Sequence, residues 1–272
     1  MIGPPEVVVI SIDVCMETVF PEVSYLDRPA RIAAAGFRAI EAWFPEQHLA
    51  DADLPSLHKA CESAGVKLNN IVANSPDGSI GATLTNPADR PKYLERMAYS
   101  LKCCREFGAS MMITCTGNVQ PTLTPRVQRA SIVESLRAAG DLAAKVGVTL
   151  VLEPLNSLID HHGYFLDNSY DAADIVRAVD RPNVGLLFDC YHMQIMGGNL
   201  IQTIRDNIDV IRHFHSAGVP GRHELDDGEL NYPKILDAIA AAGYSGCFGL
   251  EYFPKLESAA SLANMRRLLA DR

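Results

Sequence analysis

The sequence predicts a (β/α)8 TIM barrel, formed by a single domain that spans all 272 residues. Strand-like and helix-like patterns alternate along the whole chain, which is typical of parallel strand–helix–strand units. The length fits as well, because a barrel of this kind takes about 250 residues. The longest polar loops all follow predicted strands, whereas the loops that follow predicted helices are short. Such concentration of loop length on one face is typical of the active-site side of a barrel.

The predicted strands are short apolar runs, as expected for strands that are buried on both faces. They are Val7–Asp13, Arg38–Trp43, Lys67–Val72, Ser110–Cys115, Val148–Glu153, Val184–Asp189, Val210–His215 and Gly246–Glu251. A helix is predicted after each strand, and several helices end at a glycine, the usual C-cap residue. The predicted helices are Leu26–Ala35, Leu54–Ser63, Pro91–Phe107, Pro125 to about Val146, Ser169–Val179, Leu200–Asp206, Tyr232–Ala242 and Leu256–Leu269.

Charge and composition argue against several classes of partner. The net charge is −9 and the sequence has no block rich in lysine or arginine, which disfavours binding to nucleic acid. Residues 1–13 lack the features of a signal peptide, and no apolar run approaches the roughly 20 residues of a membrane span. Seven cysteines without a CxxC pair indicate reduced thiols. We therefore expect a cytoplasmic protein without a membrane or nucleic-acid partner, and the sequence leaves open whether it forms a homo-oligomer.

Four predicted strands end in residues that can bind a metal ion. Glu153, Asp189, His215 and Glu251 close strands five to eight, at intervals of 36, 26 and 36 residues. A barrel of about 250 residues allots about 31 residues to each of its eight units, so the four residues recur at one structural position. We expect their side chains to meet at the C-terminal face of the barrel, where enzymes of this fold carry out their chemistry.

The residue types at these positions favour a divalent cation. A carboxylate at the tip of a buried strand is costly unless it is paired or ligates a metal, so for any one of them a buried ion pair is the alternative. Together, two glutamates, an aspartate and a histidine supply the oxygen and nitrogen ligands of such a cation. The sequence predicts Mn²⁺ or Mg²⁺, with Co²⁺ and Zn²⁺ as alternatives.

Five segments resemble the xylose isomerase-like barrel superfamily. They are EAWFP at 41–45, EPLN at 153–156, FDCYHMQ at 188–194, HFHSAGVPGRHELDDGELNY at 213–232 and LEYFP at 250–254. The likeness is strongest to the hydroxypyruvate isomerase branch, and the D-tagatose and allulose 3-epimerases are near relatives of that branch. The resemblance covers most of the chain and is densest from Glu153 onward. It departs from the epimerases at Ile159, where they carry a carboxylate.

The resemblance implies a role for six residues. Glu153, Asp189, His215 and Glu251 would ligate the metal, Glu153 and Glu251 would also act as the acid/base pair, and His192 and Arg222 would hold the oxygens of the substrate. The implied reaction is the interconversion of a small hydroxy-ketone or ketose with its isomer by proton transfer through an enediolate. That reaction needs a base, an acid and a Lewis acid, which this set of residues can supply.

Other functions stay open on the same scaffold. A ketose 3-epimerase, or a lyase on a keto-sugar, would begin with the same enolisation. A metal-dependent endonuclease would need more histidines than the eight present and a basic cleft. A non-catalytic sugar-binding barrel would not need two metal-bound glutamates.

Further polar residues near the strand ends have two interpretations each. We expect His213 to be a structural residue in the barrel interior, with direct metal ligation as the alternative. Glu41 either supports the ligands from behind them or has no part in the site. Arg222 either faces the substrate or pairs with Glu224 or Asp226. The loop Ser216–Asn231, which carries Arg222, is predicted to set the choice of substrate.

Overall fold

The computed structural model describes residues 10–50 and 53–269, and eight parallel strands in it form a closed barrel in the order β1 to β8. The strands are β1 Ser11–Cys15, β2 Ala39–Ala42, β3 Lys67–Val72, β4 Met111–Cys115, β5 Thr149–Glu153, β6 Val184–Asp189, β7 Ile211–Ser216 and β8 Cys247–Leu250. The predicted TIM barrel is therefore confirmed. The predicted first strand, Val7–Asp13, begins outside the described residues, and its described part belongs to β1.

Nine α-helices cover the outside of the barrel in the described part of the chain. They are α1 Arg28–Ala34, α2 Leu54–Ala64, α3 Arg90–Phe107, α4 Pro125–Ala144, α5 Ser169–Val179, α6 Cys190–Met196, α7 Leu200–Asn207, α8 Tyr232–Ala241 and α9 Ser258–Leu269. None of these helices is both long enough and apolar enough to cross a bilayer.

The sixth unit has two helices where the sequence analysis placed one. The side chain of Asp189 accepts hydrogen bonds from the backbone N–H groups of Tyr191 and His192, so it caps the N-terminus of α6 directly after β6. Gly197 and Gly198 then interrupt the helical backbone before α7 begins. The predicted helix Leu200–Asp206 is confirmed as α7, whereas α6 was missing from the list of predicted helices.

The strand register aligns the four predicted ligands. In the sheet, Asp189 of β6 lies opposite His215 of β7, and His215 lies opposite Gly249 of β8. Glu153 is the last residue of β5, and Glu251 directly follows β8. Because side chains alternate along a strand, His213 and His215 point to the same face, the interior of the barrel.

An apolar layer fills the part of the barrel interior below the ends of β3 to β6. Val72, Ile113, Val151 and Leu187 form a buried cluster of their own, against which Trp43 packs. The alternation of side chains puts Val151 and Leu187 on the same faces as Glu153 and Asp189, two residues further along each strand. The polar strand ends therefore lie on a packed apolar floor rather than over an open pore.

Candidate active site and metal centre

The four residues predicted as metal ligands lie together at the C-terminal face of the barrel, and all four are buried. The Nδ1 atom of His215 lies 3.4 Å from Glu153 Oε1 and 3.5 Å from Glu251 Oε2. Glu153, Asp189 and Glu251 also converge with His192, because one donor atom from each lies within 4.8 Å of the others. The structure thus brings five donor side chains to one place, including His192, which the sequence analysis had assigned to substrate.

Asp189 is held in place by the helix that follows it. Its Oδ1 accepts hydrogen bonds from the backbone N–H of Tyr191 at 2.7 Å and of His192 at 3.3 Å. Its other oxygen, Oδ2, lies 3.6 Å from His192 Nε2. Burial raises the pKa of Asp189 to about 7, although the positive charge of His215 opposes the shift. When burial raises the pKa of a carboxyl group, a nearby cation strongly stabilises its ionised form.

Glu251 is fixed by two side chains from other elements. Its Oε1 accepts a hydrogen bond from Trp43 Nε1 at 2.7 Å, and its Oε2 pairs with the guanidinium of Arg222. Burial would raise the pKa of Glu251, but the positive charges of Arg222 and His215 outweigh burial and hold that pKa well below its usual range. Glu251 is therefore ionised and oriented before any ligand arrives.

Glu153 differs from Glu251 in its electrostatic environment. Burial raises the pKa of Glu153 above its ordinary value, because the interaction with the nearby His215 offsets burial only in part. Its Oε1 has no hydrogen-bond partner among the described residues. Two neighbouring carboxyl groups with opposite pKa shifts are a common arrangement for an acid and a base.

His192 is fully buried and is oriented by Asn156. Its Nδ1 accepts a hydrogen bond from the backbone N–H of Asn156 at 3.2 Å, and the Asn156 side-chain amide lies 2.6 Å from the same nitrogen. Nε2 is then the atom that bears the proton in the neutral ring, and it is left free to face the site. Burial and the charge of Arg222 lower the pKa of His192 well below its usual value, which favours this neutral form.

The donor atoms fit a divalent cation. Glu153 Oε1 and His215 Nδ1 are both buried without a hydrogen-bond partner in the described part of the chain. Buried polar atoms are normally satisfied, so two unpartnered atoms in one cluster need an explanation, and an ion is one. Carboxylate oxygens with one imidazole nitrogen suit Mn²⁺, Mg²⁺ or Zn²⁺.

A small cavity of about 180 Å³ opens at this cluster. Its lining residues are Trp43, Phe44, Val72, Pro76, Cys115, Glu153, Leu155, His161, His192, Arg222 and Glu251. Drug-sized ligands occupy pockets of roughly 300–1,000 Å³, so this cavity suits a smaller molecule. Apolar side chains form most of its wall, and Glu153, Arg222 and Glu251 are its charged lining residues.

Arg222 belongs to the site and does not form the surface pairs considered for it. Its guanidinium contacts Glu251 and lies over the rings of Tyr191, at 5.3 Å, and Phe253, at 5.8 Å. Glu224, the partner first considered, instead accepts hydrogen bonds from the backbone N–H groups of Lys255 and Leu256. Arg222 has a left-handed backbone with φ of 59°, which points to a constrained loop.

Two contacts of the site were missed in the sequence. Trp43 lines the cavity, and its indole N–H also donates a hydrogen bond to Glu251. Asn156, the last residue of the EPLN segment, orients His192. Its position three residues after Glu153, a catalytic candidate, was the available signal. Of the two adjacent histidines in that loop, His161 lines the cavity and His162 is exposed.

Fold and site together define the class, a TIM-barrel enzyme with an acidic site at the C-terminal ends of its strands. The chain belongs to the xylose isomerase-like TIM barrel family, whose model matches residues 29–268. It is 33% identical over 254 residues to 2-oxo-tetronate isomerase from Cupriavidus necator, covering 93% of this chain and 96% of the relative. It is 29% identical over 251 residues to hydroxypyruvate isomerase from Escherichia coli, covering 91% of this chain and 95% of the relative. The chain is therefore an enzyme of the isomerase class.

Solved structures agree on the fold. A crystal structure described as an AP endonuclease, family 2, from Brucella melitensis covers 95% of this chain and 99% of its own, with a TM-score of 0.88 and 28% identity. D-psicose 3-epimerase from Clostridium cellulolyticum, solved with D-tagatose, covers 96% of this chain and 99% of its own, with a TM-score of 0.81. At 20% identity, the second likeness shows the fold alone.

Proposed function

We propose that this protein is a metal-dependent isomerase that interconverts a small hydroxy-keto acid with its isomer by proton transfer through an enediolate. The observation that carries the proposal is the pair Glu153 and Glu251. Both carboxyl groups approach the same nitrogen of His215, border the same cavity and have opposite pKa shifts. Acid/base catalysis across two adjacent carbons of one substrate requires such a pair.

In this proposal Glu251 is the base and Glu153 the acid in one direction. Glu251, held ionised by Arg222, accepts the proton from the hydroxyl-bearing carbon. Glu153, whose pKa is raised, delivers a proton to the neighbouring carbon, and the hydroxyl proton moves between the two adjacent oxygens. The roles exchange in the reverse direction. His192 would donate a hydrogen bond from Nε2 to a substrate oxygen.

The metal would be held by Glu153, Asp189, His215 and Glu251. A bound divalent cation supplies a Lewis acid that stabilises the negative charge of the enediolate. Trp43, Phe44 and Leu155 exclude water from the apolar side of the cavity, which strengthens the electrostatic interactions inside it.

An acidic three- or four-carbon substrate fits this cavity better than a larger sugar. The cavity is small, and the guanidinium of Arg222 lies on its wall as a partner for a carboxylate. The names of the two relatives point the same way, since hydroxypyruvate and 2-oxo-tetronates are both short 2-oxo acids. We do not propose for this chain the nuclease activity that the Brucella structure's description names. A net charge of −9 and an acidic enclosed site would oppose a phosphate backbone.

Isotope exchange tests the proposal. The metal-loaded protein is incubated in D₂O with hydroxypyruvate, a 2-oxo-tetronate and D-tagatose, and the products are followed by NMR. We expect deuterium at the carbon next to the carbonyl, and an aldehyde isomer, from the two acids. An epimer of tagatose would instead support a ketose 3-epimerase, and a dehydrated product would support a lyase. No exchange into any of the three substrates would contradict the proposal.

A further inference from the structure

Glu41, at the C-terminal end of β2, is the shared acceptor of a fully buried polar cluster. Its Oε2 lies 3.1 Å from His215 Nε2, 3.1 Å from His213 Nε2 and 3.0 Å from the amide nitrogen of Asn70. Glu41, Asn70 and His213 lie deeper in the barrel than the cavity and do not line it. The mechanism proposed above therefore gives Glu41 no direct contact with substrate.

The contact with Glu41 determines which nitrogen of His215 faces the site. A carboxylate oxygen accepts hydrogen bonds, so the nitrogen of His215 that touches Glu41 must carry a proton. In a neutral ring the other nitrogen, Nδ1, then carries the free lone pair. Nδ1 is the atom that lies 3.4 Å from Glu153 and 3.5 Å from Glu251.

Gly249 provides the space for this contact. A Cβ at position 249 would lie 2.8 Å from Cδ2 of His215 and 3.0 Å and 3.1 Å from the two carboxylate oxygens of Glu41. Real Cβ atoms essentially never approach other heavy atoms to 2.8 Å, so any larger residue would displace the His215 ring. The backbone of Gly249 does not have a positive φ, so the need for glycine here is one of space and not of conformation.

We propose that Glu41 is a positioning residue, which accepts a hydrogen bond from Nε2 of His215 and thereby aims Nδ1 of the ring at the metal site, and that Gly249 makes room for it. The inference rests on the proposed metal site. A carboxylate behind a ligating histidine fixes the ring and raises its basicity, and loss of such a partner commonly weakens metal affinity by about 10- to 100-fold.

Glu41, His213 and His215 also have donor atoms close enough to hold an ion themselves. The hydrogen bonding argues against that use, because Glu41 Oε2 already has three nitrogen neighbours at hydrogen-bond distance. We therefore assign the cluster a positioning role. The number of ions bound per chain separates the two possibilities.

The test compares Glu41→Gln with the wild-type full chain. Both proteins are stripped with chelator and titrated with Mn²⁺ by isothermal calorimetry. Glu46→Gln serves as the matched control, because Glu46 lies in the loop after the same strand but pairs with Arg96. We expect one ion per wild-type chain, a Kd about 10- to 100-fold weaker in Glu41→Gln, and no change in the control.

A double-mutant cycle asks whether Glu41 acts through His215. In a His215→Asn background, the amide oxygen of the asparagine can still ligate the ion, but there is no imidazole ring for Glu41 to orient. Glu41→Gln should then change the Kd by less than about twofold. An equal loss in both backgrounds, or equal destabilisation of the metal-free proteins with unchanged Kd, would show a merely structural role and overturn the inference.

Nitrogen NMR of the Zn²⁺-loaded protein reads the tautomer directly. His215 should show a protonated Nε2 and a non-protonated Nδ1, and Gly249→Ala should disturb this pattern and weaken Zn²⁺ binding. Protonation at Nδ1, or two ions per chain, would overturn the positioning role. A wild-type chain that binds no ion would instead overturn the proposed metal site itself, and the role of Glu41 with it.

Discussion

The guanidinium of Arg222, in the loop after β7, pairs with the carboxylate of Glu251 at the end of β8. The same guanidinium lies on the cavity wall between the rings of Tyr191 and Phe253. The guanidinium of Arg222 therefore contacts the proposed base and also borders the cavity in which the substrate would bind. A substrate carboxylate would compete with Glu251 for Arg222, which links substrate recognition to the state of the base.

Replacement of Arg222 by Met should affect acidic and neutral substrates differently. The KM for an acid such as hydroxypyruvate should rise strongly, because a charge-assisted pair to the substrate contributes about 1.5–3 kcal/mol, or about 10- to 100-fold in affinity. The KM for a neutral ketose should rise only mildly. Steady-state kinetics with both substrates measures the difference. Arg177→Met, a surface arginine paired with Asp209, is the control. An unchanged KM for every substrate turned over would refute the assignment.

The proposed acid and base can be tested one at a time. Glu153→Gln and Glu251→Gln should each lower kcat by about 10²–10⁴-fold, the usual contribution of general acid–base catalysis. An amide oxygen can still ligate, so metal content measured on the same samples separates loss of the proton relay from loss of the ion. Near-native turnover in either variant would remove that residue from the mechanism.

Glu17 provides a prediction about stability that does not involve the site chemistry. Burial raises the pKa of Glu17 from 4.5 to about 7, although Tyr25 donates a 2.8 Å hydrogen bond that opposes the shift. Between about pH 4.5 and pH 7, the folded protein keeps a proton on Glu17, whereas Glu17 in the unfolded chain has already released it. The free energy of unfolding should therefore fall as the pH rises from about 4.5 to about 7, by up to about 3 kcal/mol from this group.

Glu17→Gln cannot ionise and should remove that part of the pH dependence. Denaturant unfolding of both proteins at pH 5 and pH 8 measures how the free energy of unfolding changes with pH. The variant should be more stable than the wild type at pH 8. Glu134→Gln, an exposed glutamate paired with Arg90, should behave as wild type at both values. Parallel curves for wild type and Glu17→Gln would show that Glu17 titrates normally.

The fold was predictable because strong local signals agreed with the tertiary structure. The predicted bounds of Lys67–Val72, Val184–Asp189 and Ser169–Val179 match β3, β6 and α5 without a shift. Val184–Asp189 is an apolar run closed by an aspartate, Lys67–Val72 follows a helix that ends at a glycine, and the helix Ser169–Val179 is amphipathic with an Asn cap at its start. A helix start near His192, directly after β6, was predicted, but the range of α6 and its separation from α7 at Gly197 and Gly198 were not.

The site was predictable only in part, because position along a strand is local information and contacts between strands are not. The strand repeat placed Glu153, Asp189 and Glu251 together. The bond from Trp43 to Glu251 joins residues 208 positions apart, and no pattern in one sequence links them. The role of Arg222 depends on the path of its loop, which the sequence left open between the substrate and Glu224 or Asp226. That the whole chain forms one domain stays a prediction.

Removal of the metal tests the central claim most directly. The protein is dialysed exhaustively against chelator until its metal content is near zero, and the conversion of hydroxypyruvate to its aldehyde isomer is followed by NMR. We expect turnover to be abolished and then restored by stoichiometric Mn²⁺ or Mg²⁺, because the enediolate charge otherwise lacks its main stabiliser. Full activity in the metal-free protein would contradict the account.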